Sequence, residues 1–103
     1  MILGLLLPLT AFSTQDAKST SPDGAAIYKK NCNMCHFPDK ADKKMGPGLK
    51  DLFKNKELPQ SHKPATEANV REQIENGSKA MPGFAKKLST ADIDALMGYL
   101  KTL

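Results

Sequence analysis

Both cysteines of this 103-residue chain fall inside one run of five, Cys32-Asn33-Met34-Cys35-His36. Two thiols separated by two residues share one turn of backbone, so each sulfur can reach one of two vinyl groups on the same porphyrin edge. The histidine that follows is then carried over the ring face, where its imidazole can bind iron. This spacing is the attachment signature of a c-type haem, held through thioethers from Cys32 and Cys35 with His36 as an axial ligand.

The same residues admit two other chemistries. A thioredoxin-like dithiol needs a strand leading into the motif and a surrounding βαβ unit. The chain has a single valine, Val70, and no alternating strand pattern near the cysteines. A zinc site needs four ligands, which Cys32, Cys35, His36 and the distant His62 could just supply. Adjacent residues Cys35 and His36 are awkward partners at one tetrahedral metal, and there is no second Cys-x-x-Cys or His pair. Haem is the preferred reading.

The elements that must position these groups make one domain, with a candidate leader in front. Met1 to Phe12 is almost wholly apolar and is followed by polar Ser13–Ser21. The apolar stretch is shorter than the ~20 residues of a membrane-spanning helix and matches the core of a secretory signal. Cleavage after Ser13, two residues beyond Ala11, fits a small-x-small rule. This gives a signal at 1–13, a linker at 14–21 and a haem domain at 22–103. No Lys or Arg precedes the apolar run, the first being Lys18, so an upstream start, an atypical signal and a retained anchor all stay open. The expected location is the periplasm, with membrane anchoring if the apolar segment is kept.

A domain this small, with 6% aromatic residues and no tryptophan, is poor in apolar side chains from which to build a core. A covalently held porphyrin would supply the missing apolar centre. Net charge is +4, with lysines at 40, 43, 44, 50, 54 and 56 and again at 79, 86 and 87. They are either a solvated surface or an electropositive rim that steers an acidic partner. The charge is modest and no aromatic residues interleave with it, which argues against nucleic acid.

Ser21 offers an N-cap with Pro22 at the first helical position, opening a helix to about Cys32 in which Gly24, Tyr28 and Cys32 share a face. Phe37 to Leu58 reads as loop, with a Gly46-Pro47-Gly48-Leu49 turn and a short helical piece carrying Leu49, Leu52 and Phe53. Pro59 and Pro64 bracket a further loop around His62. Thr66 caps a helix to Asn76 that Gly77 ends, with Val70 and Ile74 as its inner stripe. After a loop from Lys79 to Lys87, Ser89-x-x-Asp92 has the form of a capping box. The helix it opens runs toward the C-terminus with Ile93, Leu96, Met97 and Leu100 at i, i+3, i+4 and i+7. The fold class is all-α, three main helices plus a short one, with loops long enough to need something to wrap around.

Taken together, residues 22–103 resemble the class I cytochromes c, the small single-haem electron carriers. The resemblance rests on Gly24 and Tyr28 before the attachment run, on Gly46-Pro47-x-Leu49, on Met81-Pro82-x-Phe84, and on a last helix with Leu96, Tyr99 and Leu100. It implies that the first and last helices cross at Gly24 and Gly98 beside Tyr28 and Tyr99. It also implies that Pro47 packs by His36, with a neighbouring carbonyl accepting the ring N–H. Comparison with the family's methionine loop points to Met81 as the sixth ligand. Among the other methionines, Met1 lies in the leader, Met34 between the cysteines, Met97 on the apolar stripe and Met45 beside the Gly-Pro turn. His62 is the rival ligand, and a vacant sixth position would mean gas binding or peroxidase chemistry instead.

The expected function is single-electron shuttling between redox proteins with acidic docking surfaces, by a monomer that catalyses no reaction and takes no small-molecule substrate. The alternatives are a haem subunit of a periplasmic dehydrogenase or oxidase, and a haem sensor or peroxidase with a displaceable sixth ligand.

Overall fold

A computed structural model describes residues 22–103. The expected signal at 1–13 and linker at 14–21 lie outside the described residues. The first helix, α1, is Gly24–Asn31, and its N-cap is Asp23, whose carboxylate accepts from the Ala25 N–H. This corrects the expected cap at Ser21. Both residue types can cap, but the charged oxygen of Asp23 also meets the positive end of the helix dipole.

Helix α2, Glu67–Asn76, starts at Thr66, whose hydroxyl accepts from the Asn69 N–H, and stops at Gly77, where φ is 68°. Helix α3, Thr90–Leu100, opens with a complete capping box between Ser89 and Asp92 and ends at Lys101. A single 3₁₀ turn, Leu52–Lys54, is the short fourth piece. No strand occurs among the described residues; Glu57 and Pro64 form only an isolated bridge. The chain is all-α, as expected.

Helices α1 and α3 cross in close contact, with α2 leaning on α3. At the crossing Gly24 lies directly against the Ala95 carbonyl and Tyr99, and a Cβ there would run into the α3 backbone. Gly98, expected at this crossing, has no neighbour there and faces solvent. At 100° per residue Ala95 and Tyr99 share one face of α3, and residue 98 falls beside it. The tyrosine pair is as expected, with Tyr28 and Tyr99 ring centroids 5.3 Å apart at 50°. Such a tilted pair adds ~0.5–1.5 kcal/mol beyond its burial.

Val70 and Ile74 from α2, and Ile93, Leu96, Met97 and Leu100 from α3, are buried as their spacing predicts. Leu52, Leu58 and Phe84 join them from the loops. Arg71 pairs with Asp94 near the middle of the two helices, and Lys101 with Glu67 at the end of α3 and the start of α2. These are largely exposed ion pairs, worth ~0–1 kcal/mol each.

Candidate haem site

The attachment run continues α1 as a tight turn. The Cys32 N–H bonds to the Tyr28 carbonyl at 2.8 Å, and the N–H groups of Cys35 and His36 both return to the Cys32 carbonyl, at 3.1 and 3.0 Å. Tyr28 reinforces the turn from below, its buried hydroxyl donating to the His36 carbonyl at 3.0 Å. Burial, with Cys32 nearby, pushes that phenol above its ordinary range, so it remains a donor. Burial, with Cys35 alongside, likewise pushes the Cys32 thiol up to about 11. A redox dithiol or reactive cysteine needs the opposite shift. Cys32 and Cys35 form no disulfide.

The next loop folds back along this turn. Gly46 N–H bonds to the Cys35 carbonyl at 2.7 Å, and Leu49 N–H to the Phe37 carbonyl at 2.8 Å. This brings Gly46 flat against the His36 imidazole, where a Cβ would collide with the ring. It also sets the carbonyl of Pro47 itself 2.7 Å from His36 Nδ1. A carbonyl can only accept, so Nδ1 carries the proton and Nε2 keeps the lone pair a metal needs.

A second arm comes from α2. After Gly77 the chain is stitched back onto the helix end: Ser78 N–H to the Met81 carbonyl at 2.9 Å, and Phe84 N–H to the Ile74 carbonyl at 2.8 Å. Met81 is thereby held half-buried, its sulfur 3.5 Å from the Gln73 side-chain nitrogen. Leu58–Ser61 forms a third arm, tied to the second where Ser78 Oγ donates to Gln60 Oε1 at 3.2 Å.

These arms enclose a cleft of about 1190 Å³, including the space open at its mouth. Cys32, Cys35, His36, Pro47 and Met81 all line it, over a floor that includes Leu52, Ile74, Phe84 and Leu96. The other methionines are dispersed. Met97 is buried in the core, Met34 is 79% exposed, and Met45 lines the cleft mouth with its sulfur 3.8 Å from that of Cys35. His62 is elsewhere, on an exposed turn at φ 58° with Nδ1 3.0 Å from a Glu57 carboxylate oxygen.

Three contacts were missed by the sequence reading: Gln73 on Met81, Tyr28 on the His36 carbonyl, and Met45 on Cys35. Only Gln73 left a signal. It completes the i, i+3, i+4 pattern with Val70 and Ile74, a polar residue on an inner face. The donor set fits a covalent haem: two cysteine sulfurs at one turn, an imidazole with Nε2 available, a thioether, and apolar walls.

Residues 20–100 match a cytochrome family described as cytochrome c oxidase, cbb3-type, subunit III. The chain belongs to this family of class I, single-haem c-type cytochromes. It is 37% identical to a cytochrome c6 from Microcystis aeruginosa over 76% of this chain and 90% of that protein. With a cytochrome c6 from Nostoc sp. the identity is 31%, over 97% and 86%. A dihydro-heme d1 dehydrogenase from Pseudomonas aeruginosa is 34% identical over 97% of this chain, a match covering 18% of that enzyme. The cytochrome is a small electron-transfer protein and carries covalently bound haem c. Among the described residues, no helix of the cytochrome is long and apolar enough to cross a membrane.

Proposed function

We propose that this cytochrome is a freely diffusing periplasmic carrier of single electrons whose haem is His/Met-ligated. What carries the reading is the convergence of both thiols, an imidazole fixed through Nδ1 and a half-buried thioether on one apolar cleft. Bound haem supplies one-electron chemistry at its iron. Cys32 and Cys35 hold it through thioethers, so it is never lost between encounters. His36, kept in one tautomer by the Pro47 carbonyl, would ligate the iron through Nε2, and the soft Met81 sulfur would be the second protein ligand, favouring the ferrous state and raising the potential. No substrate binds the iron. The protein's work is to hold these two ligands still and keep water from the ring.

Partners are redox proteins with acidic docking surfaces, and lysines set the rate of encounter more than its strength. The free protein is a monomer, exported and cleaved after Ser13. Replacing Met81→Ala leaves the haem attached, lowers the reduction potential, and lets the reduced protein take up carbon monoxide readily. An unchanged potential in a spectroscopic redox titration rules out Met81 as ligand. Intact mass of exported protein gives one haem on a chain beginning at Thr14.

A second reading has support in the comparisons. The names of the matched family and of the dehydrogenase relative point to a haem domain acting within an oxidase or dehydrogenase. Purification from native membranes separates the two: a carrier washes off at moderate salt, whereas a subunit stays with its complex.

A further inference from the structure

Of the five asparagines in this chain, only Asn76 precedes a glycine. The side-chain amide carbon of an asparagine is an electrophile that the next residue's backbone nitrogen can reach by closing a five-membered ring. Most residue types shield that nitrogen with their own side chain, and Gly77 has none. The pair also stands at a helix end. Asn76 is the exposed last residue of α2, and Gly77 is its C-cap at φ 68°. The Gly77 N–H makes the final hydrogen bond of α2, to the Gln73 carbonyl at 2.8 Å. Terminal turns fray at little cost, so this bond opens while the rest of the domain stays folded. The other pair of this kind, Asp23-Gly24, starts from a carboxylate, a poorer electrophile, and its oxygen is held by the Ala25 N–H at 3.0 Å.

The chain beyond Gly77 is packed without slack. Ser78 N–H returns to the Met81 carbonyl at 2.9 Å, Phe84 N–H to the Ile74 carbonyl at 2.8 Å, and Ala85 N–H to the Glu75 carbonyl at 3.2 Å. Gly77 lies directly against the Met81 carbonyl and the Gly83 nitrogen, while Gly83 lies against the backbone of Glu75 and Asn76. Neither glycine has room for a single Cβ. From Ile74 to Ala85 the backbone is therefore a hydrogen-bonded loop of fixed length, and Met81 is carried on it.

We infer that Asn76 is a self-modifying site, whose conversion to isoaspartate releases the Met81 loop from the end of α2. The Gly77 nitrogen attacks Asn76 Cγ. The new N–Cγ bond replaces Cγ–Nδ2, and the side-chain amide leaves as ammonia with the proton from Gly77. Water then opens the cyclic imide. Where it cleaves the bond from nitrogen to the main-chain carbonyl carbon, the chain afterwards runs through the former side chain. Nothing is oxidised or reduced. The backbone is then one carbon longer between residues 76 and 77, and the Ser78, Phe84 and Ala85 hydrogen bonds cannot all re-form. A carboxylate also replaces a neutral amide at the negative end of the α2 dipole, beside Glu75. Modification at residue 76 is thereby felt at Met81, and its consequence at the iron rests on the His/Met reading.

The test holds the haem-loaded protein in warm, mildly alkaline buffer and samples it over weeks. Peptide mapping is expected to find isoaspartate at residue 76 ahead of Asn31, Asn33, Asn55 and Asn69. The converted form, separated by charge, shows altered amide shifts across residues 77–85. Once reduced, it takes up carbon monoxide at least about tenfold faster than the parent. Asn76→Gln, whose ring closure is slower, keeps the parent's shifts and uptake through the same incubation. Freshly made Asn76→Asp, with the added charge on an ordinary backbone, stays within about threefold of the parent. Asn76 left intact, another asparagine converting first, or unmoved shifts at 77–85 in the converted form would each overturn the site. So would the same ageing in Asn76→Gln, or an Asn76→Asp protein as fast as the converted form. Slow uptake by the converted form beside fast uptake by Met81→Ala overturns it too. If residues 77–85 move and uptake stays slow in both, it is the Met81 ligand reading that fails.

Discussion

A thioether sulfur can accept a hydrogen bond and cannot donate one, so at 3.5 Å Gln73 must present its NH₂ group to Met81. That contact draws on the lone-pair density that Met81, as the proposed ligand, would offer to iron. Ferric iron needs the donor more than ferrous iron does, so the amide favours the reduced state. Gln73→Ala should therefore lower the reduction potential while Met81 stays bound, a change visible in a redox titration with an unaltered ferrous spectrum. Gln73→Glu at neutral pH should lower it further, because a carboxylate has no proton to give. An unshifted potential in both variants would leave Gln73 as a packing residue. His36 shows how much of a site one motif reveals. Its place after Cys35 was legible because attachment chemistry is local in sequence. Through family resemblance a carbonyl neighbouring Pro47 was expected at its Nδ1, where the structure places that of Pro47 itself, and the Tyr28 hydroxyl on its backbone was not read at all. Pairings of that kind depend on how separate segments meet in space.

At the scale of elements, helix starts and stops were legible because capping is short-range chemistry. Thr66, Gly77 and the Ser89–Asp92 box mark their helices as expected. The start of α1 was read two residues early because Ser21 and Asp23 are both competent caps and only the fold selects between them. The crossing of α1 over α3 was read correctly at Gly24, Tyr28 and Tyr99 but not at Gly98, for a related reason: a glycine in sequence does not say whether its bare face meets a neighbour. Gly24 does and Gly98 does not. The two glycines thus predict opposite signs for the same substitution. Gly24→Ala forces the α3 backbone away and should cost about 1–3 kcal/mol. Gly98→Ala adds a methyl in open space on a helix interior and should gain about 0.5–1 kcal/mol. Denaturant unfolding of the haem-loaded variants measures both. Equal effects would mean that the two helices do not cross at Gly24.

For the whole molecule the question is what the core is made of. Among the described residues ten apolar side chains are buried, and seven of them, Leu52, Leu58, Val70, Ile74, Phe84, Leu96 and Leu100, also form walls of the haem cleft. Those seven come from four separate stretches of chain that pack into one cluster bordering the cleft. Only Tyr28, Ile93 and Met97 are buried away from it, beside the α1–α3 crossing. A domain of this length is close to the lower limit for a self-sufficient core, and seven of its ten described core side chains border the cofactor's cleft. The ion pairs between α2 and α3 are too exposed to replace that burial. A chain that cannot attach haem, Cys32→Ser/Cys35→Ser produced without the cofactor, should lose most of its helical circular dichroism. Trypsin should cleave it throughout residues 40–87, where the holoprotein resists. Residual helix should be confined to α1 and α3, because the Tyr28–Tyr99 contact and the Gly24 crossing do not depend on the cleft. A sharp, cooperative unfolding transition in the haem-free variant would show that these few contacts suffice, and that the porphyrin is a passenger on a fold that stands without it.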